Sequence, residues 1–311
     1  MRPHRGRVVA AALLLDALFG EPPEALHPTV MMGRAISAVE RSALEGSIPR
    51  RLAGGALAVS LPALVFVATR ALVSATPSSW RGAMEAALIS TTLSMRGLAG
   101  AAVPVESALR AGDLEVARGR VGHFVGRDTA HLSAADAARA AIESVAENTS
   151  DAVVAPMLYG VAFGAPGALA YKAVNTLDSM VGYKAEPYAR LGWASARLDD
   201  LANLVPARAT VLAVAAASGK PRATLRSAWR YGPLTASPNA GRVEAAFAGA
   251  LGVRLGGTNS YGGVSREGPV LGDGRRPRPE DIGRSVALMR RCCLIIVGVS
   301  LVLRSGGGPG G

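Results

Sequence analysis

Leu52–Thr69 reads LAGGALAVSLPALVFVAT, eighteen residues without a charge. At about 1.5 Å per residue, an α-helix of that length crosses most of a hydrocarbon core of about 30 Å, so the stretch reads as a membrane span. Four more apolar stretches follow the same logic. Ala83–Val103 is interrupted by Glu85 and Arg96, and Ala152–Tyr171 has Gly164-Ala165-Pro166-Gly167 inside it. Leu201–Ser218 contains Pro206 and Arg208, and Arg290 and Arg291 mark the entry to Val286–Leu303. Val8–Phe19 is short for a span and carries Asp16. Arg2, Arg5 and Arg7 precede it in the manner of a signal peptide, but Gly20-Glu21-Pro22-Pro23 stands where a small-residue cleavage site would be, so a retained first helix is expected.

The composition agrees. Half of the 311 residues are apolar and only 18% are charged, with a mean hydropathy of +0.27. Charges gather between the apolar runs, as loops between spans require. The expected fold class is therefore all-α: a polytopic integral membrane helical bundle of about five to six segments with helical polar loops. We expect a single membrane domain over 1–311, with polar motif loops at 20–51, 104–151, 172–200 and 219–284 and a flexible tail at 305–311.

The formal charge is +11, and all of the 34 cations are arginine except Lys172, Lys184 and Lys220. With 5% aromatics and no aromatic–basic interleaving, nucleic acid is not an expected partner. Arginine beside apolar segments fits the lipid bilayer better. Loops 20–51, 104–151 and 219–284 carry 20 cations and share one side if every candidate spans once, so that side is expected to face the cytoplasm. The simple count puts 172–200 on the opposite side. A re-entrant helical hairpin broken at the Gly-Ala-Pro-Gly of Ala152–Tyr171 would bring it back. Cys292 and Cys293 are adjacent, have no metal-ligand spacing around them and read as small apolar residues of a helix.

Ser133–Asp151 (SAADAARAAIESVAENTSD) opens with a helix N-cap, and Glu143, Glu147 and Asp151 recur every four residues. A step of four drifts only about 40° around a helix, so the three carboxylates are expected on one face. Such a stripe serves Mg²⁺ with nucleotide phosphates, or is simply a solvated face, and the second is commoner. Tyr171–Asp200 places Lys172, Asn175, Asp178 and Ser179 at helical spacing, followed by Lys184, Arg197, Asp199 and Asp200. Charges of both signs beside apolar spans are costly and point to function. Asp16, His27 and Arg34 fall in or near a polar turn, while Ser237–Gly241 and Leu255–Asn259 are rich in glycine and amides. Neither of the last two is a P-loop or a dinucleotide fingerprint.

Read together, these segments resemble the CobD/CbiB family of cobalamin biosynthesis. The resemblance is carried by LLLDALFGEPPEALHPTVMMGRAI, GRDTAHLS, ESVAENTSDAVVAPMLYG, AYKAVNTLDSMVGYK, GWASARLDDLANLVPARAT, SPNAGRVEAAFAGALGVRLGG and GDGRRPRPEDI, in family order from near residue 13 to near residue 290. Thr258–Gly263 departs from the aromatic-rich stretch usual in the family. The resemblance implies an adenosylcobinamide-phosphate synthase, an ATP-dependent amide-forming ligase. It would join adenosylcobyric acid, through its f propionate, to (R)-1-aminopropan-2-ol phosphate or an ethanolamine analogue. ATP and Mg²⁺ are then expected, with the corrinoid as substrate, and other cobalamin-biosynthesis enzymes as partners. The expected location is the cell membrane, with the site facing the cytoplasm. A corrinoid transporter, or a non-catalytic membrane component of a corrin-synthesis complex, is the alternative.

On this resemblance the expected catalytic residues are Glu143, Glu147, Asp151, Lys172, Asp178, Lys184, Arg197, Asp199 and Asp200. Glu147, Asp151 and Asp178 are the metal candidates. Lys172, Lys184 and Arg197 would hold phosphates and the corrin carboxylate. His27, Arg34, Arg127, Asp128, Asn148, Asn175 and Asn239 are the expected substrate-binding residues.

Overall fold

The computed structural model describes residues 5–46, 48–183 and 185–302; Lys184 and the tail at 305–311 lie outside them. The chain divides into two compact units. The first takes in the described residues of 1–94, 155–203 and 299–311, the second residues 95–154 and 204–298.

The first unit contains α1 (Arg5–Phe19), α2 (Pro28–Leu44), α3 (Arg50–Ala75), α4 (Arg81–Ser90), α8 (Ala155–Phe163), α9 (Ala165–Val181) and α10 (Trp193–Ala202). Its core is built from apolar rows with a period of four. Ala53, Leu57 and Leu61 of α3 meet Leu169, Ala173, Leu177 and Val181 of α9, with Met32 and Ile36 of α2 beside them. Residues four apart stack along one helix face, so each row forms a ridge that packs into its neighbour's groove. On α3 the large apolar side chains Leu52, Val59, Leu64, Val67 and Leu72 are exposed. An apolar exterior of this kind suits lipid rather than water.

Close approach is set by small residues, as in membrane helix packing. A Cβ on Gly54 would run into the Leu191 carbonyl oxygen, whereas one on Gly55 would meet nothing within 4 Å. Backbone cannot swing aside as a side chain can. Gly54→Ala is therefore expected to cost about 1–3 kcal/mol, and Gly55→Ala to be silent. Thermal unfolding of both variants in detergent checks this; equal midpoints would show that α3 does not pack on Leu191.

The expected break at Gly164-Ala165-Pro166-Gly167 is present. Gly164 adopts φ 75°, which glycine reaches without a steric cost. The chain folds back so that Tyr159 of α8 stacks on Tyr171 of α9, with centroids 4.9 Å apart. Glu85, read from the sequence as an interruption of a span, accepts a 3.4 Å hydrogen bond from the Ala165 amide at the start of α9. A carboxylate there complements the helix dipole.

The second unit contains α5 (Met95–Arg110), α6 (Leu114–Gly122), α7 (Ala134–Thr149) with a π-helical turn at Ser150–Val154, α11 (Leu204–Ala217), α12 (Pro221–Tyr231), α13 (Ala240–Leu251), and α14 (Glu280–Val302) as far as Gly298. Helix α13 packs against α7, α11 and α12. Buried alanines at 137, 138, 140, 141 and 146 of α7 and at 245, 246, 248 and 250 of α13 allow short interhelical distances.

Among the described residues three stretches are long and apolar enough to cross a membrane: α3, Arg81–Arg110 (α4 with α5) and α14. The protein is accordingly mostly helical, with candidate membrane-spanning helices. A fourth span would require α10 and α11 to act together. Because Arg197, Asp199 and Asp200 crowd α10, we read α10 as lying outside the spans. The expected span at Ala83–Val103 falls within Arg81–Arg110, with the helix interrupted at 91–94. There Ser90, Thr91 and Thr92 donate their hydroxyls to the carbonyls of Ala87, Leu88 and Ile89, at 2.8, 2.8 and 2.6 Å, and such local bonds compete with helix continuation.

The all-α expectation also needs correction between α13 and α14. Strands β1 (Leu255–Gly256) and β4 (Val270–Leu271) pair antiparallel, as do β2 (Asn259–Tyr261) and β3 (Val264–Arg266). Gly262 and Gly263 join β2 to β3 with φ of 57° and 78°. Positive φ at both loop positions matches the twist of a two-residue hairpin, and glycine reaches it without strain.

Candidate functional site

In the first unit the polar residues converge on α9 and α10. Asn175 and Asp178 come from α9, and Asp199 and Asp200 from α10; the four interact electrostatically. Asn203, at the end of α10, joins them. Its amide donates to Asp199 Oδ2 at 3.0 Å, and its own Oδ1 accepts from the Tyr171 hydroxyl at 2.8 Å. Asp199 Oδ1 is buried and takes no hydrogen bond from a described residue.

Burial raises the Asp199 carboxyl to about 7, with Asp178 adding to the rise and the amides of Asn203 and Asn175 opposing it. Burial also raises Asp178, with Asp200 contributing. Near neutral pH Asp199 therefore exchanges a proton, and the neighbouring carboxylates are better treated as a coupled set than as independent acids. A carboxyl whose pKa is raised on folding binds its proton more tightly in the native state. The stability it confers is full below its ordinary pKa of 3.8 and is lost as pH rises towards about 7. Asp199→Asn should remove that component. Between pH 5 and 8 the unfolding midpoint of the variant should fall less than that of the wild type; parallel curves would contradict the raised carboxyl.

Lys172 is half-buried on α9 and Arg197 is exposed on α10. Further along the same unit, His27 caps α2 by accepting the Thr29 amide at Nδ1 (3.2 Å), and its Nε2 lies 3.5 Å from Glu21 Oε2. Nδ1 acts as an acceptor, so the ring proton of the neutral form sits on Nε2, towards Glu21. Arg34 is exposed on α2.

The second unit gathers a different set. Arg127 Nη2 lies 2.6 Å from Glu143 Oε2, and Arg139 Nη1 lies 3.3 Å from Glu143 Oε1. The Gly256 amide donates to Glu143 Oε1 at 2.6 Å. Arg139 donates to the carbonyls of Gly256 (2.7 Å) and Thr258 (3.0 Å), and both arginines donate to Asn259 Oδ1. Glu143 is only 4% exposed, and both of its oxygens are occupied in tying α7 to the β-ribbons. Asp128 accepts from the Gly263 amide, the Ser260 hydroxyl and the Gly262 amide at 2.8, 3.0 and 3.1 Å. These bonds, led by that of Gly263, hold its carboxyl below the ordinary range.

The Glu143, Glu147 and Asp151 stripe is not uniform. Glu143 is buried, Glu147 exposed and Asp151 half-buried. The regular helix stops at Thr149, and Asp151 sits in the π-helical turn, which changes its angle around the axis. Asn148 donates to the Ser144 carbonyl at 3.0 Å, and Asn239 accepts from Arg208 at 2.6 Å. Glu244 on α13 was not anticipated. Burial and the neighbouring Glu143 and Glu147 push its carboxyl well above the ordinary value, against the pull of Arg127 and Arg139. The available signal was a lone carboxylate in the apolar run Val243–Leu251.

The sequence-derived residues thus fall into two groups. Asn175, Asp178, Asp199 and Asp200 share one cluster in the first unit; Arg127, Glu143 and Glu147 belong to another in the second, where Asp128 fastens the adjoining hairpin. The metal candidates are divided, Asp178 in the first unit and Glu147 and Asp151 in the second. Among the described residues no three His, Cys, Asp or Glu side chains form a protein-only metal site.

The sequence model of a family described as CobD/Cbib protein matches residues 9–289. The chain is 46% identical over 309 residues to the cobalamin biosynthesis protein CobD of Geobacter metallireducens, covering 94% of this chain and 95% of that one. Identity is 41% with CobD of Mycobacterium tuberculosis, covering 95% of each chain. It is also 41% with CbiB of Salmonella typhimurium, over 95% of this chain and 96% of that one. No solved structure matches.

Proposed function

The chain belongs to the CobD/CbiB family, its role lies in cobalamin biosynthesis, and from that premise we propose that it is an adenosylcobinamide-phosphate synthase. It joins the f propionate of adenosylcobyric acid to the amine of (R)-1-aminopropan-2-ol phosphate or an ethanolamine analogue, at the expense of ATP, in the cell membrane with its site towards the cytoplasm. The observation that carries the reading is the Asp178–Asp199 pair: two interacting carboxyls on neighbouring helices, both raised by burial, beside polar amides.

A carboxylate is a poor electrophile. In the proposed reaction the propionate oxygen attacks the γ-phosphorus of ATP, giving an acyl phosphate and ADP. The amine then attacks the acyl carbon and inorganic phosphate leaves. The amine arrives as an ammonium ion and must lose a proton first. Asp178, whose affinity for a proton is raised by burial and by Asp200, accepts it. Lys172 and Arg197 offset the charge of the phosphates and the corrin carboxylate, with Lys184 a further candidate.

Mg²⁺ usually takes one or two protein carboxylates together with substrate phosphates. Asp199 and Asp200, with the buried unpaired Asp199 Oδ1, fit that pattern of hard oxygen donors and leave Asp178 free to act as the base. When bound there, the ion would neutralise charge on phosphate oxygens. Glu147 with Glu244, and Asp151, are the second unit's candidates for the amine or a metal. Asn148, Asn175, Asn239, His27, Arg34, Arg127 and Asp128 remain candidates for contacts with the amide-rimmed corrin, Arg127 and Asp128 through the loop they hold.

The test is a proteoliposome assay with ATP, adenosylcobyric acid and aminopropanol phosphate. Amide product is expected. Corrinoid uptake without product would make the protein a transporter, and neither activity would make it a non-catalytic component.

A further inference from the structure

Within the second unit, a cavity of about 1180 Å³ opens between the loop at 127–132, the start of α7 and the segments at 254–260 and 276–277. Six charged side chains and a histidine line it, and most of the charges are already satisfied, Asp136 lying 3.5 Å from Arg139. Arg127 and Arg139 are tied to Glu143, and Asp128 fastens the β2–β3 turn. Two cations are left over. Neither the Arg254 nor the Arg276 guanidinium makes a hydrogen bond or ion pair with a described residue, and both line the cavity.

Their placement follows from the backbone. Val253 forms a parallel bridge with Arg275, and the Arg254 amide donates to the Arg275 carbonyl at 2.9 Å. The next residue on each segment is Arg254 and Arg276. Paired segments run about 4.8 Å apart, so the two arginines are neighbours. Side chains of extended backbone alternate in direction. Val253 and Leu255 are accordingly buried, with Arg254 exposed between them. Arg275 turns away and forms a two-point pair with Asp281, at 2.7 and 3.0 Å, and Pro277 is buried. Arg275 is thus an anchor that presents Arg276 to the cavity. Two adjacent guanidinium groups repel unless an anion lies between them, and a phosphate monoester or polyphosphate offers the several oxygens that planar guanidinium groups bind best. His131, also on the lining, adds a third donor.

We propose that this cavity is a phosphate-binding site in which Arg254 and Arg276, with His131, grip the phosphate of a phosphorylated substrate. The choice between ATP and the amino-alcohol phosphate rests on the synthase reading; the phosphate chemistry does not.

The test is titration calorimetry on the full chain in lipid nanodiscs with pyrophosphate, ATP, aminopropanol phosphate and cobyric acid, each run separately. Wild type should bind at least one of the three phosphates. Arg254→Gln with Arg276→Gln should weaken that phosphate by about tenfold or more, the loss expected for a charge-assisted hydrogen bond, and leave cobyric acid unchanged. Both side chains are exposed, so the double variant should keep the wild-type unfolding midpoint. Loss confined to ATP, or to aminopropanol phosphate, identifies the ester. Unchanged phosphate affinity in the double variant, or no phosphate binding by wild type, overturns the proposal. Because binding is read without turnover, a protein that binds phosphate through these arginines but forms no amide would refute the synthase reading alone.

Discussion

Asp178→Ala is expected to lower amide formation by about a hundredfold or more, the usual contribution of a positioned general base, without loss of the folded protein. Asp178 is half-buried between α9 and α10, and its carboxyl is raised by burial and by Asp200. Taking the charge away relieves repulsion within the carboxylate set, so the unfolding midpoint should hold or rise while turnover falls. Asp178→Asn keeps the shape and removes the base, and should be as inactive as the alanine variant. Single-turnover product formation alongside thermal unfolding checks both points. Near-normal turnover by either variant would remove Asp178 from the mechanism, and lost activity accompanied by a lower midpoint would reduce it to a structural role.

Glu143→Ala should act in the opposite way, chiefly on stability. Glu143 lies between Arg127 and Arg139 and also accepts the Gly256 amide. Arg139 is only 7% exposed. Removing the carboxylate takes the close ion pair from Arg127 and leaves Arg139 the half-exposed Asp136 at 3.5 Å; breaking a buried pair in this way typically costs about 3–5 kcal/mol. The loop at 255–260 loses its attachment to α7 at the same time. Glu143→Gln keeps an oxygen for the Gly256 amide but not the charge, and should lie between wild type and alanine. Hydrogen exchange at residues 255–263, read with the unfolding midpoint, locates the effect. Unaltered protection of that loop would show that the Arg127–Glu143–Arg139 cluster does not hold it.

The difference between these two carboxylates was not legible in the sequence. Both appeared as acidic residues at helical spacing, and spacing reports which residues share a face without reporting what lies opposite. Glu143 meets two arginines, one of them four residues earlier in an alanine run, where Arg139 could have been recognised as its i, i+4 partner. Asp178 meets other carboxylates brought by α10. The apolar helices were legible because length and composition alone decide them: Leu52–Thr69 lies inside α3, and Val286–Leu303 largely inside α14. The break at 91–94 was not, because Ser90, Thr91 and Thr92 are compatible with helix until their hydroxyls bond back to the main chain. The segment after α13 is visible in the sequence as rich in glycine and amides, but strands of two or three residues leave almost no period-two signal. Asp151 was assigned the face of Glu143 and Glu147 because a π-helical turn has no sequence signature that a count of four would detect.

In the proposed reaction the corrin carboxylate is activated by phosphoryl transfer before the amine attacks it. Adenosylcobyric acid labelled with ¹⁸O in the f carboxylate tests it directly, with mass spectrometry of the phosphate released by the reconstituted protein. Transfer of one labelled oxygen per turnover to inorganic phosphate is the predicted result. Amide product accompanied by unlabelled inorganic phosphate, with the label in AMP or in water, would contradict it.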